Sequence, residues 1–96
     1  MAAYMIFTRE RTKDQSEMDI YNAGAVATLD GREFKPLAFY GAYEVLEGDA
    51  MEGAVVLEFP SVAEAKDWYH SAAYQQLVAH RHAGADYRVF VIEGAG

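Results

Sequence analysis

The spacing of apolar and polar positions changes character several times along the chain. Tyr4-Met5-Ile6-Phe7-Thr8 is a compact aromatic and β-branched run that stops where charges begin at Arg9, and it predicts an opening β-strand. From Asp14 to about Leu29 the spacing becomes helical. Met18, Tyr21, Ala25 and Leu29 recur three or four residues apart, while Asp14, Glu17 and Asp19 place acids near the positive end of the helix. Gly24 weakens that helix by up to ~1 kcal/mol relative to alanine, and Asp30-Gly31 ends it with turn chemistry. Lys35 to Leu46 predicts a second strand region, with Pro36 confining it to a strand start or a sheet edge and Gly41 marking a bulge or kink. Glu47-Gly48-Asp49 reads as the turn of a hairpin into Ala54-Val55-Val56-Leu57-Glu58-Phe59, the clearest strand of all. Pro60-Ser61 stops that strand, and Ser61 with Glu64 forms a capping-box pattern ahead of Ala65, Trp68 and Tyr69. Ser71 is positioned to cap a further helical segment with Tyr74, Leu77, Val78 and Arg81 on one face, closed by Gly84. Asp86 to Ile92 is the last strand.

The order β-α-β-β-α-β, without a linker or a shift in composition, predicts one ferredoxin-like α+β domain over residues 1–96, with a four-stranded antiparallel sheet. In such a sheet, with helices on one side, the other face normally turns polar. Here it does not. Tyr4 and Ile6 oppose Met5 and Phe7; Ala54 and Val56 oppose Val55, Leu57 and Phe59; Phe90 and Ile92 oppose Tyr87, Val89 and Val91. Helices can cover one of these faces, so the other calls for a second sheet. The expectation is a homodimer with two sheets packed face to face. Alternation alone leaves open which face meets the helices.

Composition sharpens this picture. A domain of 96 residues has a small core, yet the chain carries seven Tyr, five Phe and one Trp, more than such a core needs. A second buried face absorbs part of the surplus, and the remainder suggests a lined pocket. With 15 acids against 8 bases and a net charge of −7, the chain is a poor match for a nucleic-acid phosphate backbone or an anionic membrane surface. Its third strand, moreover, lacks the basic-aromatic pattern of RNA-binding sheets. No apolar run reaches the roughly 18–20 residues of a membrane span, and the start of the chain lacks a signal-peptide pattern. The expected setting is cytoplasmic. Zero cysteines exclude disulfides, thiolate metal sites and redox dithiols.

Three strings, Glu44-Val45-Leu46-Glu47-Gly48-Asp49, Val55-Val56-Leu57-Glu58-Phe59-Pro60-Ser61 and Trp68-Tyr69-His70-Ser71-Ala72-Ala73-Tyr74-Gln75, together resemble the small bacterial family DUF1330 over nearly the whole chain. That family resembles the dimeric α/β-barrel superfamily, which includes antibiotic-biosynthesis monooxygenases and muconolactone isomerase. The resemblance therefore implies a ferredoxin-like dimer and, by fold analogy only, cofactor-free small-molecule chemistry. The sequence departs from the family pattern at its first helix, where an Asp-Pro-x-x-Tyr-like start is replaced by Asp14-Gln15-Ser16-Glu17-Met18 leading to Tyr21.

The candidate chemistry follows from residue types and positions. Arg81 shares the inward face of Tyr74, Leu77 and Val78, where a guanidinium can grip a carboxylate or enolate oxygen. Since arginines are seldom buried, snorkelling to solvent at the negative end of the helix is the default expectation. Glu58, beside Val56 and Ala54, is a candidate general acid or base; the more ordinary alternatives are an ion pair with Arg9 or Arg88 and plain exposure. His70, in the loop between helical segments, is a candidate acid-base group against the ordinary reading of a surface imidazole. His80 and His82 are two apart on a helix and point away from each other, so no metal site is expected. Tyr21, Tyr40, Trp68, Tyr69 and Tyr74, with Phe39, are the candidate substrate-binding residues of a cleft between helices and sheet, although core packing explains each one taken singly.

No phosphate loop or nucleophile elbow is present, and no cofactor is expected. The leading expectation is a cofactor-free small-molecule enzyme or binding protein, with isomerase-like, cyclase-like or monooxygenase-like chemistry on a small unsaturated or aromatic metabolite. The alternative is a non-catalytic dimeric metabolite-binding or accessory module.

Overall fold

A computed structural model describes residues 1–96. Strand β1 (Ala3–Thr12) is followed by helix α1 (Gln15–Ala25) and a 3₁₀ turn (Val26–Leu29). Strands β2 (Lys35–Phe39) and β3 (Gly53–Phe59) come next, then helices α2 (Val62–Tyr69) and α3 (Ala72–Gly84), and strand β4 (Ala85–Glu93). The strands form one antiparallel sheet in the order β2-β3-β1-β4, with β1 and β3 paired centrally. This is the ferredoxin-like arrangement expected from the order of elements.

Local signals place the ends of the helices. The Asp14 carboxylate accepts from the Ser16 amide, Ser61 Oγ from the Glu64 amide, and Ser71 Oγ from the Tyr74 amide, so each helix starts on a side-chain cap. The Ser61–Glu64 pattern marks a true helix start. The helix expected to run unbroken to Leu29 tightens into the 3₁₀ turn from Val26 onward. Leu29 still reaches the core, at 6% exposure, so the tightening preserves the burial that the helical spacing anticipated.

The second strand is shorter than its pattern suggested. Pairing with β3 ends at Phe39↔Val55, and the irregularity lies between Pro36 and Ala38 rather than at Gly41. Tyr40 then takes φ 51°, a left-handed conformation rare outside glycine, and turns the chain away after one last bond from its amide to the Ala54 carbonyl, 2.9 Å. Residues 43–46 are not a strand. Strands β2 and β3 pair antiparallel as expected, but Tyr43 donates its hydroxyl to the Met51 carbonyl at 2.7 Å, closing residues 40–52 into a wide loop in place of a turn confined to Glu47-Gly48-Asp49.

The helices lie on the face carrying Met5, Phe7, Val55, Leu57 and Phe59, all buried, and Val89 and Val91 at the β4 edge extend that face. The opposite face carries Tyr4, Ile6, Thr8, Ala54, Val56 and Glu58, all half-buried, and ends in Phe90 and Ile92 at 47% and 52% exposure. It is an apolar sheet surface without a helix over it. No helix is long and apolar enough to cross a membrane.

Candidate functional site

An apolar cleft of about 350 Å³ opens between α1, the 3₁₀ turn and the helix-facing side of the sheet, near Tyr40. Its floor is Phe7, Val55 and Leu57, and its wall is Leu29, Trp68 and Tyr21. Trp68 is fixed from all sides. It stacks on Phe59 at 5.8 Å, meets Phe7 edge-on at 6.2 Å, and donates its indole N–H to Thr28 Oγ1 at 3.0 Å. Its ring is therefore part of a rigid wall.

The polar groups in and behind the lining are Asn22, two phenol pairs and two arginines. Tyr21 and Tyr74 share a hydroxyl–hydroxyl hydrogen bond of 2.6 Å, and Tyr40 and Tyr87 share one of 2.5 Å. Arg9 lies over the Tyr40 ring at 5.0 Å, and Arg81 lies between Tyr21 at 5.8 Å and Tyr87 at 5.2 Å. Such cation–π contacts hold a guanidinium against an aromatic face when no carboxylate is at hand. Arg9 has a neighbouring carboxylate, Glu52, 3.6 Å from its Nε, but Glu52 is already bonded to the amide and hydroxyl of Thr12. The Nε of Arg9 is buried without a hydrogen-bond partner.

Burial pushes the pKa of Tyr21, Tyr74 and Tyr87 upward, with Arg81 acting against that rise in all three. The charge of Tyr74 adds to the rise at Tyr21, and the hydrogen bond with Tyr40 adds to it at Tyr87. At neutral pH these phenols therefore keep their protons, which makes them hydrogen-bond donors and weak acids, not bases.

Of the aromatic candidates, Tyr21, Tyr40 and Trp68 come together in this cleft. Tyr74 is fully buried behind Tyr21, and half-buried Tyr69 faces a different cleft beside β4. The default expectation for Arg81 is overturned: it is 2% exposed, not snorkelling, because the last turn of α3 packs over Tyr21 and Tyr87. Those two rings line the aromatic cleft and Arg81 does not. Glu58 lies on the opposite sheet face, paired with Tyr4 and Lys35, and away from the cleft. Within the chain, Arg9 pairs with Glu52. His70 is exposed in the turn between α2 and α3, with its ring edge-on to Tyr69 at 5.1 Å. No cluster of three or more potential metal ligands exists, and His80 is bonded to Glu17 at 2.6 Å across α1 and α3.

Arg9, Asn22 and Tyr87 line the cleft but were not singled out from sequence as site residues. Alternation carried the signal for two of them. Arg9 continues the stripe Met5-Phe7-Arg9, and Tyr87 begins the stripe Tyr87-Val89-Val91, both on the helix-facing side.

Residues 2–95 match the DUF1330 family, described as a domain of unknown function. Among solved structures, a protein of unknown function from Rhodopseudomonas palustris superposes with a TM-score of 0.74 at 19% identity, over 99% of this chain and 83% of that one. A dimeric ferredoxin-like protein of unknown function from a Jannaschia species gives 0.69 at 16% identity, over 98% and 100%. SnoaB, a cofactor-independent oxygenase from Streptomyces nogalater, gives 0.62 at 6% identity, over 99% and 94%. At these identities the likeness is one of fold. No protein of curated function matches the chain.

Proposed function

The chain belongs to the DUF1330 family, and from that premise and the geometry of its aromatic cleft we propose that it is a cofactor-free small-molecule enzyme acting on a small unsaturated or aromatic metabolite. The observation that carries this reading is an apolar cleft of single-ring to two-ring size whose few polar groups converge: the Arg9 guanidinium and the paired phenols of Tyr40 and Tyr87. The Tyr87 phenol, which burial keeps protonated, and the Arg9 cation stabilise negative charge as it develops on a substrate oxygen. That favours the enolate or phenolate of a weakly acidic substrate. Isomerisation and the reaction of an activated substrate with oxygen both begin from such an anion, which a weakly acidic substrate forms here by giving its proton to water, since the cleft lining holds no carboxylate or imidazole. The oxygenase among the fold neighbours fits this reading by analogy. In it Tyr21, Tyr40 and Trp68 bind the ring, while Arg81 and Tyr74 act behind them by positioning Tyr21 and Tyr87. Glu58 and His70 have no place in the reaction.

The working unit in this proposal is a homodimer closed through the open sheet face, where Ile6, Val56, Phe90 and Ile92 supply apolar surface. The dimeric Jannaschia protein supports that assembly. One observation favours the non-catalytic alternative: no carboxylate and no imidazole lines the cleft, so it offers donors but no side-chain base.

A thermal-shift screen of small enols, phenols and cyclic ketones tests the reading, because a bound ligand at about 100 times its Kd stabilises by roughly 2.7 kcal/mol. A hit should lose its effect in Tyr40→Phe and Arg9→Met. Full retention of binding in both variants would refute the assignment of the cleft. Conversion of the hit, followed by proton exchange in deuterated buffer, separates enzyme from binding module.

A further inference from the structure

Arg81 is left with its charge unanswered. It is 2% exposed, it enters none of the salt bridges of the protein, and its Nε and Nη2 are both buried without a hydrogen-bond partner. A guanidinium does not shed its proton, so the charge cannot be removed by titration. Removing such a cation from water without a partner is among the costlier things a fold can do. The faces of Tyr21 and Tyr87 offset part of that cost. The surrounding phenols do not supply the missing negative charge, since burial keeps them protonated.

Arg81 does border open space, on the side away from the aromatic cleft. A second cleft, of about 430 Å³, lies between the end of α3 and β4 and is lined by Arg81 together with Tyr69, His82, Asp86, Tyr87 and Val89 among others. The one carboxylate there, Asp86, is engaged by Arg11 at 2.9 Å and Lys13 at 3.2 Å, so it answers those cations and not Arg81. Tyr87 is common to both clefts and forms the partition between them.

We propose that this second cleft is a carboxylate-binding site in which the carboxylate supplies the counter-charge that Arg81 lacks, while the Tyr69, Tyr87 and Val89 side chains contact a short apolar remainder. A guanidinium answers an oxyanion with charge-assisted hydrogen bonds, which distinguishes this ligand class from halide. The Tyr69 and Tyr87 rings and the Val89 side chain offer contacts that an organic acid can use and an inorganic oxyanion cannot. The site is separate from the aromatic cleft and does not depend on what that cleft binds. An occupant would place negative charge directly behind Tyr21 and Tyr87.

The test titrates the full-length protein with sodium propionate and sodium benzoate, against sodium chloride at matched ionic strength, and follows thermal stability. Saturable stabilisation by a carboxylate and not by chloride is expected. The stronger of the two acids tells whether a free short acid or the carboxyl end of a larger, aromatic acid fits better. Val89→Phe, which fills the cleft from the sheet side and leaves Arg81 in place, should weaken the response at least tenfold while keeping the native circular dichroism. Arg81→Met should abolish it, and Arg9→Met, in the other cleft, should leave it intact. Equal stabilisation by chloride, an unchanged response in Val89→Phe, or loss of the response in Arg9→Met would each overturn the proposal.

Discussion

Replacing Tyr21 by phenylalanine deletes one hydroxyl from a pair sealed between α1 and α3, and the consequence can be worked out from the structure. The two oxygens are 2.6 Å apart, and the ring that remains, Tyr74, is 0% exposed. In the unfolded chain both hydroxyls are hydrated; in the variant the Tyr74 hydroxyl is dry and has lost its bonded partner. An orphaned buried hydroxyl costs roughly 1–3 kcal/mol, and for Tyr21→Phe the upper half of that range is expected. In a domain of this size each kcal/mol lowers Tm by about 4–8 °C. Tyr74→Phe should cost a similar amount, since the Tyr21 hydroxyl it orphans is buried as well. The double variant leaves no orphan and should be more stable than Tyr21→Phe alone, giving a coupling energy on the order of 1–2 kcal/mol. The assay is a double-mutant cycle by urea unfolding at one fixed protomer concentration, which keeps any association from moving the midpoints. Additive single effects, each below about 0.5 kcal/mol, would refute the idea that the pair is sealed and mutually satisfied.

Three further outcomes are expected. Gly84→Ala should destabilise by about 1–3 kcal/mol, because a Cβ there would stand 2.8 Å from Met18 Cγ and 3.0 Å from the Met18 backbone nitrogen; an unchanged melting temperature would show that α1 and α3 are not so closely apposed. Since Tyr21, Tyr74 and Tyr87 have raised pKa values, the unfolded chain loses their protons first, so their contribution to stability is present below about pH 10 and is lost as pH rises beyond it. Near-ultraviolet tyrosinate absorbance should then show these three ionising only together with alkaline unfolding, and their titration in the folded protein would contradict their burial. If the proposed homodimer forms, the wild type sediments at twice the chain mass and Phe90→Asp, which places a charge on the open sheet face, at 10.7 kDa; a wild type at 10.7 kDa would refute the dimer, and a variant that sediments like a dimeric wild type would refute this face as its interface.

The elements of the fold were largely legible in the sequence because they rest on local physics. Ser61 and Ser71 cap the helices they precede, since a cap is a bond between residues two or three apart. The stripes Met5-Phe7 and Val55-Leu57-Phe59 fall on one face because strand side chains alternate strictly. The second strand was overestimated for a related reason. Aromatic and β-branched residues at 43–46 have strand propensity, but the left-handed turn at Tyr40 takes them out of reach of β3. Propensity cannot report that a partner is missing.

What the amino-acid sequence determined by itself was periodicity, caps and the count of apolar faces, and with them the four-stranded sheet and the helices on it. The tertiary structure alone decided which side chains meet. Tyr21 finds Tyr74 and Tyr40 finds Tyr87 across separations of 53 and 47 residues, and Arg81 falls between the pairs, out of water. Those meetings depend on strand register and on where α1 and α3 settle over the sheet, and a slip of one residue in register would send each strand side chain to the opposite face. Patterning could place Arg81 on an inward face, but only packing could strip it of both solvent and counter-charge.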